Sequence, residues 1–306
     1  MKLRDIILAA SVILVWGFNF AVIKWGVSAV PPLLLVALRY FFAAFPAIFL
    51  VKRPQVTWPW LLAYGLTVGV GQFSCLFYAI HIGMPAGVAS VVLQAQAFFT
   101  IIFTAVLFKE RVKKHQLMGL VVAAIGLVFI SGALGLDTGT TDLDSRTGIP
   151  VGAFLLTLLG AAFWGLSNIV VRKISIIAAA EQKKVNMLGL VVWSSLIPPI
   201  PMLLASLYLE GNQIAQLSLA SISGSAIFSV LYLAFLATIM GYGLWSMLLA
   251  KYSAHKIAPL SLLVPVIGLL TARFVLGETL DIIQWLGGGI IILGLLITNR
   301  VNLFMK

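Results

Sequence analysis

The chain alternates long apolar runs with short polar breaks. Ten runs can be marked, at roughly residues 5–26, 33–51, 59–81, 84–108, 115–132, 150–173, 185–208, 224–250, 257–276 and 281–300. Each is close to the length of about 20 residues that a bilayer-crossing helix needs. "PP" at 31–32, "RP" at 53–54, "MP" at 84–85 and "AP" at 258–259 fall at or near the joints, where a residue without a backbone N–H is tolerated. The longest polar stretch, "DTGTTDLDSRTG" at 137–148, divides the chain near its middle. The pattern predicts an all-α integral membrane protein. The first run follows Lys2 and Arg4, is too long for a signal-peptide core, and reads as a retained helix.

Composition agrees. The chain is 61% hydrophobic and 9% charged, whereas soluble domains carry about 25% charged residues. So few charges cannot cover a water-facing surface. The net charge of +11 raises nucleic acid as a partner, but the basic residues lie in the gaps between apolar runs, as in cytoplasmic loops, and no basic patch interleaved with aromatics is found. With the N-terminus inside, only Lys24, Arg39, Arg146 and Arg273 of the 20 basic residues fall in the outer half. This bias predicts ten spans with both termini cytoplasmic. Cys75 is the single cysteine, so no intramolecular disulfide can form. No Cys/His cluster suggests a metal, and no cofactor is implied.

The two halves echo each other. "WGFNFAVIK" at 16–24 returns as "WGLSNIVVR" at 164–172, and "LFKER" at 107–111 returns as "VLGET" at 275–279. Five spans in each half would insert the second half upside down. The expected organisation is therefore two inverted five-helix repeats, 1–136 and 150–306, joined by an external linker at 137–149. Secondary transporters are commonly built this way, with substrate bound near the midplane between the repeats. No GxxxxGK[ST] loop is present, so ATP is not the direct driver. No His/Asp pair, HExxH or Ser–His set at membrane depth supports an intramembrane enzyme.

Polar groups inside spans are the candidate chemistry, because charges at the bilayer centre are costly. No carboxylate lies at the centre of a span: Asp5, Glu110, Glu278 and Asp281 are all near span ends. This disfavours cationic drugs as cargo and leaves coupling to a proton gradient open. Trp16 and Asn19 share a face of the first span, as Trp164 and Asn168 do on the sixth. Asn19 is expected toward the outside and Asn168 toward the inside. Gln72 is central in the third span, Tyr242 and Trp245 share a face of the eighth, and Pro265 is expected to kink the ninth at mid-span. Gln94 and Gln96 are about 200° apart on a helix, so one should line the substrate path and the other bond a neighbouring helix. Lys24 and Arg39 suggest a positive outer vestibule that receives a carboxylate, with Arg39 the deeper. His81 and His115 lie at span ends, Trp58, Trp60 and Trp285 fit interfacial belts, and the glycines of "GLTVGVG" and "LGGG" permit close helix packing.

The two-fold pattern of five spans, "WGFNF" near the start and a Glu ending the fourth and ninth spans resemble the EamA family of the drug/metabolite transporter superfamily. "GMPAGVASVVLQAQAFFT", "APLSLLVPVIGL" and "ATIMGYGLW" are the more specific strings, and the likeness covers essentially the whole chain. The resemblance implies a bacterial inner-membrane exporter working by alternating access, with the fourth and ninth helices central. It implies small amino-acid metabolites as cargo, cysteine and O-acetylserine foremost, with other neutral or aromatic amino acids as the alternative. It also places Gln94 or Gln96 and the Pro265 region at the substrate site. "VVLQAQAFF" departs from the family by carrying an amide and alanine where many members have a proline motif.

Overall fold

The computed structural model describes residues 1–130, 149–217, 223–252, 257–279 and 281–299, and these contain helices and no strands. The linker at 137–149 falls, apart from Ile149, outside the described residues, as does Arg146. Seven helices are long and apolar enough to cross a membrane: α1 Leu3–Ala29, α2 Pro32–Leu50, α3 Trp58–His81, α4 Ala86–Phe108, α6 Val151–Ala180, α7 Met187–Leu209 and α8 Gly224–Leu249. Three shorter apolar helices complete the set: α5 Lys114–Ile130, α9 Leu260–Val275 and α10 Ile282–Thr298. Large apolar side chains point outward, Phe274 at 80% and Leu204 at 60% exposure among them, which suits a hydrocarbon surround.

Departures from regular helix recur five helices apart. α2 is interrupted at Phe45–Pro46 and α7 at Ser195–Pro198, where proline removes a donor from the helical ladder. α3 contains a π-helical stretch, Gly65–Gln72, and α8 another, Tyr232–Met240. α4 has a 3₁₀ turn at Leu93–Ala95, and a 3₁₀ turn at Ala258–Leu262 leads into α9.

The packing follows the same rhythm. α1 packs on α9 and α8, and α6 packs on α4 and α3; α2 meets α7, α4 meets α9, and α5 meets α10. Each of these contacts crosses from one half of the chain to the other. Close approach depends on glycine in two places. A Cβ on Gly69 would lie 2.1 Å from Pro198 Cγ, and one on Gly126 would lie 2.7 Å from the Gly287 carbonyl oxygen. The "GLTVGVG" stretch and Gly287 of "LGGG" are thus packing glycines, as the sequence suggests, whereas Gly289 faces open space.

Candidate functional site

Residues from the irregular stretches of α3 and α8 line one small cavity. With α2 and α7 they enclose about 10 Å³, room for about one water. Tyr40, Tyr64, Ser194, Thr238 and Tyr242 supply its polar wall, and Gly65, Val68, Gly69 and Val191 the remainder. The Thr238 hydroxyl donates to the Leu233 carbonyl five residues back at 2.8 Å, in step with the π-helical register.

Arg39 stands beside this cavity. It is only 2% exposed, one of the largest side chains buried so completely. Its Nε donates to Thr238 Oγ1 at 3.2 Å. Its guanidinium carbon lies 3.9 Å from the centroid of the Phe73 ring, with Tyr40 and Phe77 within 6 Å. Cation–π contacts offset part of the cost of burying the charge. Among the described residues no carboxylate lies within ion-pair distance of it, and Nη1 is buried without a hydrogen-bond partner. The outer vestibule expected from sequence is therefore not where Arg39 sits: its long stem carries the charge inward between α3 and α8. Lys24, the other vestibule candidate, reaches the Ile80 carbonyl on α3 at 3.5 Å.

Two neutral acceptors share the property of Nη1. Asn19 Oδ1 on α1 and Gln72 Oε1 on α3 are buried without a donor, their side chains 7% and 2% exposed. Buried polar atoms normally find partners, so these three stand out among the described residues.

Trp16, Tyr242 and Trp245 meet in one aromatic cluster. The Trp16 ring lies 5.3 Å from each of the other two, centroid to centroid. Its indole N–H donates to the Ala237 carbonyl at 3.0 Å, within the π-helical stretch of α8. A Cβ on Gly241 would fall 2.5 Å from that nitrogen, so the first glycine of "GYG" makes room for the indole. Tyr242 belongs to both the cluster and the cavity wall, linking Trp16 and Trp245 to Arg39.

A second polar group lies elsewhere. The Asn168 side-chain amide donates to Gln96 Oε1 at 2.8 Å and to Thr100 Oγ1 at 3.0 Å, tying α6 to α4. Gln96 is thus a glutamine that bonds a neighbouring helix, while Gln94 is buried in the 3₁₀ turn of α4. Trp164 is half-buried against the core one turn before Asn168 on α6. The structure does not bring Gln96, Trp164 and Asn168 to the cavity wall. Pro265 is buried, and its carbonyl accepts from the Ser90 hydroxyl of α4 at 3.3 Å. It lies in the first turn of the α-helical part of α9, Leu263–Val275, not at a mid-span kink. The irregularity precedes it, because the first turn is where a missing N–H costs nothing.

Polar contacts between the halves close both ends. At one end the Glu278 carboxylate accepts from the Ala86 and Gly87 N–H groups at 2.8 and 3.0 Å, capping α4. Glu210, buried after α7, accepts from Leu33 and Leu34 N–H at 3.0 and 3.4 Å, capping α2, and also takes the Ser206 hydroxyl. Sequence analysis passed over Glu210, and its partners, 177 and 176 residues away, leave no local signal. At the other end Asp5 accepts from Lys251 and from the Tyr252 hydroxyl, both at 2.6 Å, and Glu110 pairs with Arg172. The Arg172 hydrogen bond holds the Glu110 carboxyl below its usual range, and the bond to Asp5 raises the Lys251 ammonium above its own. Among the described residues no group of three His, Cys, Asp or Glu side chains is placed to hold a metal.

Comparison with known proteins bears on this arrangement. The sequence profile of the EamA-like transporter family matches residues 3–132 and 151–300. A Salmonella typhimurium protein named probable amino-acid metabolite efflux pump is 48% identical over 97% of this chain and 95% of its own length. An Escherichia coli protein of the same name is 46% identical over the same shares. A solved crystal structure shares the fold at a TM-score of 0.61 with 17% sequence identity, covering 99% of this chain and 100% of that one. Matches over both halves of the chain, and near-half identity to relatives of equal length, make the protein a membrane transporter, not an enzyme, that belongs to the EamA-like transporter family.

Proposed function

We propose that the protein is a secondary-active exporter of small amino-acid metabolites, with cysteine and O-acetylserine as the leading cargo. The observation that carries this reading is the polar, aromatic cavity closed between the two halves of the chain, with cross-half contacts at both ends. A carrier needs such an occluded form between its two open ones. The names of the two close relatives support the cargo class.

Ten transmembrane helices as two inverted repeats, residues 1–136 and 150–306 around an external linker at 137–149, account for irregularities and packings that recur five helices apart. In this scheme both termini are cytoplasmic in the bacterial inner membrane, with Glu210 and Glu278 at the outer end and Asp5, Lys251, Glu110 and Arg172 at the inner end. Rocking of one half against the other breaks one set of contacts and keeps the other. The proposed cargo path runs past Tyr242 in the cavity wall, past Trp16, Trp245 and Arg39 beside it, past Asn19 on α1 and Gln72 on α3, and past Gln94, Gln96, Trp164, Asn168 and Pro265 along α4, α6 and α9. A small zwitterion needs donors and acceptors in an otherwise apolar chamber, and neutral amides and indoles provide them at a low desolvation cost.

The test is transport of labelled cysteine and O-acetylserine by the purified protein in liposomes, with and without a pH gradient. Saturable transport supports the reading, and its response to the gradient tells whether protons drive it. Absence of transport by folded protein overturns it. Preferential competition by other neutral or aromatic amino acids would reassign the cargo.

A further inference from the structure

Among the described residues Arg39 is the one group beside the cavity that carries charge at neutral pH, and its environment is incomplete. Thr238 Oγ1 and the Phe73 face meet only part of its bonding capacity, and Nη1 is buried without a partner. A guanidinium offers five donors in a planar fork that matches a carboxylate bidentately. We propose that Arg39 is the carboxylate anchor of the cargo site, so that the protein selects molecules with one free carboxylate. This deepens the exporter reading and rests on it for the identity of the site.

Charge balance sets the class. One guanidinium matches one negative charge. A phosphate ester, with about −1.5 to −2 at neutral pH, would leave net charge in an apolar interior, and a cation would be repelled. The polar part of the wall is tyrosine, serine and threonine, and the rest is glycine and valine, none of which neutralises charge. Asn19 Oδ1 lies on α1 and Gln72 Oε1 on α3, helices that both pack on α2; Gln72 precedes the Phe73 whose ring faces Arg39, and both oxygens are buried acceptors without donors. An α-ammonium donates to acceptors of this kind and needs no acidic residue, consistent with a site that has none. The zwitterion of a small amino acid supplies both missing complements at once. A cavity with room for about one water must expand to admit cargo. The glycine-containing π-helical stretch of α3 is the wall with least side-chain bulk.

The experiment measures thermal unfolding of the full-length protein with L-cysteine, L-cysteinamide or cysteamine, and competition by each against labelled cysteine in liposomes. The pairs differ only at the carboxylate. Cysteine is expected to stabilise and compete at concentrations at least about tenfold below those of the other two. Arg39→Lys should keep part of that preference, and Arg39→Gln should erase it. Equal action of cysteamine and cysteine on the unaltered protein, or no stabilisation by cysteine, overturns the anchor. So does a folded Arg39→Gln protein that keeps the preference. If Arg39→Gln does not fold, the analogue comparison on the unaltered protein decides alone. The exporter reading fails separately: selective binding of the acid without export in liposomes overturns export and leaves the anchor standing, whereas export without acid preference does the reverse.

Discussion

Asn168 donates its side-chain amide to Gln96 across 2.8 Å, joining α6 to α4. The two amides of α4 are thus not redundant: one holds helices together and the other lies buried in the 3₁₀ turn. Replacing Gln96 by Ala leaves Asn168 its bond to Thr100. Interhelical hydrogen bonds of this kind contribute about 0.6 kcal/mol in membranes, up to about 1.7. Gln96→Ala should therefore lower thermal stability by about that amount. Gln94→Ala should lower transport with expression unchanged. Normal cysteine transport by both variants in liposomes would remove these glutamines from the cargo path.

Glu278 substitutes for a local cap at the start of α4, which has no capping side chain of its own. Carboxylates at helix N-termini stabilise by about 0.3–1 kcal/mol, and by up to about 2 in partly buried geometries. Glu278→Gln keeps the shape but exchanges one acceptor oxygen for a donor that faces a backbone N–H. It should lower stability by about 1–2 kcal/mol and loosen the end that Glu278 closes. Thermal unfolding reads the first effect. Faster labelling of a cysteine placed at Met84, buried two residues before the capped Ala86, reads the second, and an unchanged rate would show that the cap is not a closure.

The Glu110–Arg172 pair gives a pH signature. Its folded carboxyl sits below the ordinary value of 4.5, so its contribution is complete above that value and disappears as pH falls through the lowered one. The stability difference between the unaltered protein and Glu110→Gln should be constant from about pH 5 to 8 and shrink in acid below that range. For Lys251, raised by Asp5, the sign is opposite: its contribution is complete below 10.5 and is lost only as pH rises through the raised value. Unfolding temperatures of Glu110→Gln and Lys251→Met across pH measure both. A difference that varies between about pH 5 and 8 would contradict the assignment.

Gly69 is a steric prediction. With a Cβ placed 2.1 Å from Pro198 Cγ, a rigid ring, Gly69→Ala must push α3 away from α7. Overpacking of this kind costs about 1–3 kcal/mol. Because Gly69 also lines the cavity, transport should fall more than stability. Gly289→Ala, which meets open space, is the matched control and should leave both near normal. Thermal unfolding together with vesicle transport distinguishes the two.

The length and spacing of apolar runs determined the helices, because burying backbone in hydrocarbon permits little else. The expected run 5–26 became Leu3–Ala29, and 150–173 became Val151–Ala180. The same pattern singled out Arg39, Asn19 and Gln72 as polar groups in apolar surroundings. It also set Gln94 and Gln96 on different faces, since periodicity fixes angles around a helix. Periodicity says nothing about what stands opposite a face. Glu210 over Leu33, Gln96 beside Asn168 and Trp16 against Ala237 join residues far apart in the chain, and only packing selects them. The π-helical stretches Gly65–Gln72 and Tyr232–Met240 likewise have no local signature, because a shift of hydrogen-bond register is favoured by the neighbours that accept it. The sequence also suggested an exposed vestibule for Arg39. Tertiary structure drew it inside, where aromatic faces and one hydroxyl meet part of its charge and leave the rest unmatched.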